Sequence, residues 1–211
     1  MSRFFEAILQ KWRVLRTIFF LCKYGGGDVL QDSLTGLDLR HTLNAVWRRE
    51  VALSNRYGRP VSIVLFDLDD FKKVNDSQGH LAGDVVLKET ARILKQECRG
   101  EDVIIRWGGD EFLVVLPNAE GEGAGELAKR VRLRLFLCGI GISFGIGSLH
   151  LEASEERRDA GALFEAVIRI ADAELYLHKA NKAQVNNPSF FLDNIVAFFL
   201  RWYNTNHEEP Q

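Results

Sequence analysis

Two short apolar runs, separated by a glycine pair and two acidic residues, constrain the fold of this chain more than any other feature. The runs occupy residues 103–105 and 113–116, and residues 106–112 between them read Arg-Trp-Gly-Gly-Asp-Glu-Phe. Short runs of β-branched and aliphatic residues are typical of buried strands. A two-residue turn whose central positions need positive φ accepts Gly-Gly readily. We therefore expect a tight β-hairpin with Asp110 and Glu111 at its tip, where a solvated turn is the plain alternative to a site.

A second acidic stretch follows another predicted strand. The apolar run 61–66 leads directly into Asp67, and Asp69 and Asp70 come soon after it. If this strand neighbours the hairpin in the sheet, Asp67 converges with the acidic pair at the hairpin tip. Carboxylates from two strands are oxygen ligands that Mg²⁺ uses, with substrate phosphates completing its coordination. The pattern therefore predicts a metal-assisted nucleoside triphosphate site, whereas Asp69 and Asp70 are interpreted as acidic caps of the next helix.

Composition and cysteine usage exclude several classes of protein. The net charge is −2, with 46% hydrophobic and 27% charged residues, so we expect no nucleic-acid partner. No run approaches the roughly 18–20 apolar residues of a membrane span. Cys22, Cys98 and Cys138 lie in apolar runs without the spacing of metal ligands. We interpret them as buried thiols of a reducing compartment and expect a cytoplasmic protein.

The order of the predicted elements indicates the fold class. In chain order they are a helix at 37–57, a strand at 61–66, a short helix, a helix at 80–98, the hairpin, a helix at 120–137, a strand at 139–146 and a helix at 163–182. The central β-α-β-β-α-β order is that of ferredoxin-like folds. We therefore expect an α+β domain whose mostly antiparallel central sheet is flanked by helices.

Amphipathic segments occur near both ends of the chain. Spacings of three and four connect apolar residues from Phe5 to Cys22, and residues 25–27 are all glycine. After Pro188, the aromatic-rich segment 190–203 carries two apolar lines, a face too wide to leave in water. We expect these segments to join two protomers as a helical bundle. Packing on their own domain and docking on a membrane surface are the alternatives.

The hairpin sequence resembles the signature of the diguanylate cyclase family, which stands here at Gly108–Phe112. The resemblance covers about residues 32–182 and includes "FDLDDFKKVNDSQGHLAGD" at 66–84, "ISFGIG" at 142–147 and "ADAELYLHK" at 171–179. It implies the palm domain of nucleotidyl cyclases. The chain then divides into an N-terminal helix and linker (1–27), the cyclase domain (28–187) and a C-terminal helix and tail (188–211).

The resemblance implies roles for individual residues. Asp110 would serve as general base and Lys72 would lie near the triphosphate. Guanine has two donors on its Watson–Crick edge, so the carboxylate of Asp84 would favour GTP over ATP. The implied metal ligands are Asp67, Leu68, Asp110 and Glu111, the implied substrate-binding residues are Asn75, His80, Asp84, Gly108, Gly109 and Lys179, and the implied inhibitory product site is Arg99 with Asp102. For Asn75 and His80, a turn-former and a helix cap are the plain alternatives.

The implied activity is the condensation of two GTP into cyclic di-GMP, with Mg²⁺ (or Mn²⁺), by a homodimer that its product inhibits. One departure bears on this activity. The family's Lys-x-x-Gly-Arg-Asn is Lys-Ala-Asn-Lys-Ala-Gln at 179–184, so Ala183 replaces a phosphate-binding arginine for which Lys182 substitutes only partly. The alternatives are a catalytically weak domain that acts as a cyclic di-GMP receptor, and a scaffold.

Overall fold

The computed structural model describes residues 31–154 and 158–185, and the amphipathic terminal segments and Cys22 lie outside this part of the chain. Its elements in chain order are β1 (Asp38–Leu39), a 3-10 turn (Arg40–Thr42), α1 (Leu43–Tyr57), β2 (Val61–Leu68), α2 (Phe71–Gln78), α3 (His80–Glu97), β3 (Val103–Arg106), β4 (Glu111–Pro117), α4 (Gly121–Leu137), β5 (Ile142–Leu149) and α5 (Ala160–Val185).

The strands form one mixed sheet with the order β1-β3-β4-β2-β5. Strand β2 pairs antiparallel with both β4 and β5, and β3 pairs antiparallel with β4. The short β1 adds a parallel partner to β3. This arrangement confirms the predicted α+β fold with a mostly antiparallel sheet flanked by helices.

The central strand β2 is buried along its length, as an uninterrupted apolar run predicts. On one face of the sheet, α3 and α4 cover Phe66 and Phe112, which are cross-strand partners with no exposed surface. On the other face, α1 and α5 cover Ile63 and Leu113. Burial of each such side chain stabilises the fold by about 1.5–3 kcal/mol. A slip of one residue would exchange the two faces, so packing holds the register of β2 against β4.

The structure corrects the boundaries of three predicted elements. The helix predicted from residue 37 begins at Leu43, because Asp38 and Leu39 extend to pair with β3. The strand predicted from residue 139 begins at Ile142, after Gly139 turns the chain with φ 74°. The helix predicted from residue 163 begins three residues earlier, at Ala160.

The interpretation of the cysteines as buried thiols is wrong for Cys138, which is exposed, and Cys98 is only half-buried. The buried stripe of α4 ends at Leu135, so Cys138 at the end of that helix has left the core. Its Sγ lies 3.7 Å from Oε1 of Glu89. Among the described helices, none is both long and apolar enough to span a bilayer.

Candidate active site

The register of the sheet brings the two acidic stretches together. Asp67, near the end of β2, is the cross-strand partner of Glu111 at the start of β4. Directly opposite residues in an antiparallel pair have Cβ atoms about 4.5–5.5 Å apart. The backbone N–H of Leu68 donates to the carbonyl of Asp110 at 3.2 Å. Asp67, Leu68, Asp110 and Glu111 therefore meet at one end of the sheet.

The hairpin turn is longer than predicted. The carbonyl of Glu111 accepts hydrogen bonds from the N–H groups of Trp107 (2.9 Å) and Gly108 (3.2 Å), so residues 107–110 form the loop. Neither Gly108 nor Gly109 has positive φ, so the predicted two-residue turn is wrong. At Gly108 a Cβ atom would lie 2.5 Å from Oε2 of Glu111, so the end of that flexible side chain would shift if another residue stood there.

Arg106 connects this loop to the turn at residues 32–36 by hydrogen bonds. Its Nη1 atom donates to both carboxylate oxygens of Asp32, at 3.0 and 2.9 Å, and its Nη2 atom donates to the carbonyl of Gly109 at 2.8 Å. Asp32 also accepts hydrogen bonds from Thr35. Burial alone would raise the pKa of Asp32, but the bonds from Thr35 and Arg106 hold it below its usual value. Sequence reasoning missed this connection.

Lys179 of α5 reaches the acidic cluster, with its Nζ 2.7 Å from Oδ1 of Asp67. The pKa of Asp67 is nevertheless raised, first by burial and then by the charges of Asp110 and Asp69, and Lys179 offsets only part of this. Burial and two neighbouring carboxylates together thus outweigh the Lys179 ammonium group and oppose ionisation of Asp67. A site of this kind favours an additional cation.

Asp172 is a further member of the cluster that sequence reasoning missed. Burial raises the pKa of Glu111 first, followed by the charges of Asp67, Asp110 and Asp172. Asp172 lies two turns before Lys179 on α5, and a separation of seven residues keeps both on one side of the helix. The spacing of seven residues between Asp172 and Lys179 is the sequence feature that could have indicated that Asp172 belongs to the cluster.

The oxygen ligands at this end of the sheet fit Mg²⁺ as a partial coordination shell. Among the described residues, no group of three or more His, Cys, Asp or Glu side chains forms a ready metal cage. Mg²⁺ is usually held by one or two carboxylates, with substrate phosphates and water completing its octahedron. The carboxylates at the hairpin tip, Asp67 and the backbone carbonyl of Leu68 could supply such a partial set.

The packing of α2 against α3 places Asn75 against Gly83, the residue before Asp84. A Cβ atom at Gly83 would overlap Oδ1 of Asn75, so the absence of a side chain at Gly83 lets the amide lie against α3. Asp84 follows Gly83 directly, and both Asn75 and Asp84 are half-buried. Their amide and carboxylate groups could together accept hydrogen bonds from a purine edge.

Lys72 and His80 occupy more open positions. Lys72 is exposed in the first turn of α2, and His80 is exposed as the first residue of α3. The N-terminus of α3 has no side-chain cap, so the alternative role of His80 as a cap is not realised. Both side chains are thus exposed to solvent, whereas the side chain of Asn75 is half-buried against Gly83.

The interpretation of Asp70 as a side-chain cap of α2 is wrong. Asp70 stands at the N-cap of α2 but makes no side-chain cap bond, because its backbone is left-handed (φ 57°) rather than extended. Its Oδ1 instead lies 2.8 Å from Nζ of Lys73. Asp69 accepts a hydrogen bond from the hydroxyl of Ser143 at 2.7 Å.

Arg99 and Asp102 lie in the turn before β3, at the end of that strand remote from the hairpin. Arg99 is exposed, whereas Asp102 is buried and accepts a hydrogen bond from the backbone N–H of Arg99 at 2.7 Å. Burial raises the pKa of Asp102 to about 6, although this hydrogen bond acts against the rise. Asp102 therefore braces the turn that presents Arg99.

Comparison with known proteins identifies the family. The family model "Diguanylate cyclase, GGDEF domain" matches residues 29–185. Diguanylate cyclase DosC of Escherichia coli K12 is 33% identical over 160 residues, which are 72% of this chain and 33% of that protein. Diguanylate cyclase DgcP of Pseudomonas aeruginosa is 37% identical over 150 residues, which are 71% of this chain and 22% of that protein. The chain thus spans a third or less of either relative.

Solved structures support the same assignment. Diguanylate cyclase SiaD from P. aeruginosa, crystallised with its activator SiaC, is 30% identical with a TM-score of 0.64, covering 85% of this chain and 68% of that one. A microbial GGDEF domain with cyclic di-GMP is 30% identical with a TM-score of 0.62, covering 72% of this chain and 94% of that one. The glycine-bearing hairpin, the acidic cluster around it and these similarities together show that the chain belongs to the diguanylate cyclase GGDEF domain family.

Proposed function

We propose that this chain is a diguanylate cyclase that condenses two GTP molecules into cyclic di-GMP and releases two pyrophosphates. The observation that carries the proposal is the cross-strand pairing of Asp67 with Glu111, with Asp110 beside them at the end of the sheet. This acidic cluster supports a triphosphate site, because Mg²⁺ is usually held by one or two carboxylates with substrate phosphates completing its coordination.

The chemistry assigned to the cluster is an in-line displacement on phosphorus. The 3′-hydroxyl oxygen of one GTP bonds to the α-phosphorus of the other, the bond to pyrophosphate breaks, and the hydroxyl proton passes to Asp110. A second displacement of the same kind, with the roles of the two nucleotides exchanged and the Asp110 of the other protomer as base, closes the ring and releases the second pyrophosphate. Bound Mg²⁺ (or Mn²⁺) would stabilise charge on the attacking and leaving oxygens. Asp67, Asp110, Glu111 and the Leu68 carbonyl would hold that ion.

Two lysines complete the triphosphate site in this proposal. Lys72 is exposed and able to turn toward the phosphates. Lys179 already lies among the carboxylates, in contact with Asp67, and would transfer to a phosphate oxygen when substrate binds. Their ammonium groups offset charge that develops on the leaving group. At Gly109 no atom beyond its chain neighbours lies within 4 Å of the place of a Cβ atom, which leaves room for the phosphates close to the hairpin. At Gly108 the carboxylate of Glu111 lies in that space and would shift when phosphates bind there.

The purine pocket is assigned to Asn75, His80 and Asp84. The carboxylate of Asp84 accepts from N1–H and the amino group of guanine, whereas adenine would leave it without donors. A site that loses hydrogen bonds to its own buried polar groups rejects the wrong substrate strongly. The half-buried position of Asp84 beside Asn75 supports this assignment.

Two further properties belong to the proposal. Each protomer holds one GTP, so the reaction requires a homodimer, which we assign to the amphipathic segments outside the described residues. Contact of these segments with a membrane surface is the rival role. Product inhibition is assigned to cyclic di-GMP bound at Arg99 and Asp102, with the exposed guanidinium of Arg99 available to a guanine or a phosphate.

The test is incubation of the purified chain with GTP and Mg²⁺, followed by chromatographic detection of cyclic di-GMP and pyrophosphate. We expect a molar ratio of two pyrophosphates for each cyclic di-GMP, and no product when EDTA replaces Mg²⁺. Absence of product from a folded, GTP-binding protein would contradict the proposal.

The replacement of the family arginine by Ala183 favours a second candidate, a receptor that binds cyclic di-GMP but turns over little GTP. This candidate predicts tight cyclic di-GMP binding without product in the same incubation. The variant Ala183→Arg, which restores the cation, separates the two candidates. A weak cyclase should gain activity, whereas a receptor should keep its affinity for cyclic di-GMP and still form no product.

A further inference from the structure

The solvent side of α4 carries three large apolar side chains near its C-terminal end. Leu133, Phe136 and Leu137 are 60, 73 and 75% exposed. Spacings of three and four place them on one face, opposite the buried stripe that ends at Leu135. We call these three residues the α4 patch. Clustered apolar surface of this kind is typical of a contact site rather than of scattered surface residues.

Basic side chains surround the α4 patch. Lys129 pairs with Glu126, and Arg130 and Arg134 both pair with Glu97. A fourth, Arg132, lies with Nη1 2.8 Å from Nε2 of His178 on α5. These four cations face two carboxylates, and a third carboxylate, Glu89 beside Cys138, is paired with Arg92, so a net positive charge of two remains around the patch. The cations are Lys129, Arg130, Arg132 and Arg134.

We propose that the α4 patch docks this domain on an anionic lipid bilayer. The apolar side chains would enter the boundary between headgroups and acyl chains, and the surrounding cations would lie at the headgroup level. An apolar centre with Lys and Arg on its flanks is the pattern of helices that lie in a membrane interface. Charge complementarity selects anionic over neutral lipid, because basic groups gain energy only near a negative surface.

A second copy of the chain fits this face less well. A two-fold contact places the same patch on both partners, so the cations around one patch would meet the cations around the other. Three side chains of at most about 250 Å² each also expose less than the roughly 800 Å² that each partner buries in a stable interface. A lipid surface requires neither a complementary shape nor a large buried area.

The test is co-sedimentation of the full chain, without nucleotide, with vesicles of phosphatidylcholine alone or with about 30% phosphatidylglycerol. We expect binding to the anionic vesicles, weakened by salt. The variant Phe136→Gln/Leu137→Gln should lower the partition coefficient about tenfold or more. The matched control is Ile170→Gln/Leu177→Gln, which removes two exposed apolar side chains from α5 and should bind like the wild type.

Several outcomes would overturn the proposal. These are failure of the wild type to bind anionic vesicles, unchanged binding by the α4 variant, and an equal loss in the α5 control. A changed molar mass of the α4 variant by light scattering, with unchanged vesicle binding, would assign the patch to a second copy. Leu133→Gln gives an independent reading if the double variant does not fold. None of these measurements depends on turnover of GTP.

Discussion

Lys179 and Asp67 form an ion pair across the acidic cluster, with Nζ and Oδ1 2.7 Å apart. The lysine thus occupies the oxygen that the proposed function assigns to a metal ion. Burial first, and then the charges of Asp110 and Asp69, raise the pKa of Asp67, although Lys179 acts against the rise. Metal and Lys179 should therefore compete for Asp67 when no nucleotide is bound.

The first prediction tests this competition. Lys179→Met should raise the affinity of the nucleotide-free protein for Mg²⁺ by about threefold to tenfold, because it removes a competing cation. The measurement is calorimetric titration at pH 8, where protons compete little for the carboxylates. Lys73→Met is the control, since its partner Asp70 is exposed and its loss should leave Mg²⁺ affinity unchanged. Weaker Mg²⁺ binding by Lys179→Met would contradict the competition.

The second prediction concerns Asp110. If it is both base and metal ligand, Asp110→Asn should lower kcat by several orders of magnitude. The side chain is half-buried at the tip of the sheet, so melting temperature should change little. Initial rates of pyrophosphate release, with circular dichroism melting as the check on folding, measure both effects. Substantial turnover by this variant would remove Asp110 from the mechanism.

The third prediction concerns base choice. Asp84→Ser removes the acceptor for two guanine donors, which should cost about 2–4 kcal/mol of discrimination against adenine. ATP should then compete with GTP in the variant but not in the wild type. Asp76→Ser, an exposed carboxylate on the neighbouring helix α2, is the control. A variant that still ignores ATP while using GTP well would place the pocket elsewhere.

Much of the fold of this domain could be predicted from the sequence pattern, because its apolar runs indicate buried strands. The runs before Asp67 and on either side of the hairpin predicted three strands, and the observed pairing of β2 with β4 brings Asp67 to Glu111. Local patterns could not reveal the pairing of Arg106 with Asp32, since the two residues are 74 positions apart and are joined only by the fold.

The backbone of the hairpin was also beyond sequence reasoning. Two adjacent glycines fit both a turn of positive φ and a turn that needs bare space. The backbone of the folded chain distinguishes them, because neither Gly108 nor Gly109 adopts a positive φ. The extension of the chain at Asp38 and Leu39 was missed for a related reason. These residues continue a helical pattern, and pairing with β3 overrides it.

The fourth prediction concerns product inhibition. Arg99 is exposed in a turn at the end of β3 remote from the acidic cluster, so its loss should not disturb turnover directly. Arg99→Ala should raise the cyclic di-GMP concentration that halves the initial rate by about tenfold or more, while kcat without added product stays constant. Arg92→Ala, in an exposed pair with Glu89 on α3, is the control. Equal inhibition of the wild type and Arg99→Ala by cyclic di-GMP would contradict the assignment of the inhibitory site to Arg99.

The last prediction uses the titration of Asp102. Burial raises its folded pKa to about 6, above the ordinary value of 3.8. The folded state therefore resists ionisation, so this group lowers the free energy of unfolding as pH rises from about 4 to about 6, by up to about 3 kcal/mol. Below pH 4 the carboxyl is protonated in both states and the loss disappears.

Asp102→Asn should abolish this dependence, because the amide stays neutral and its oxygen can still accept the bond from the N–H of Arg99. The measurement is urea unfolding of both proteins at several pH values between 4 and 7. We expect the variant to gain stability relative to the wild type as pH rises, and to reach a constant difference above about pH 6. A constant difference across the whole range would show that Asp102 ionises as easily in the folded as in the unfolded chain.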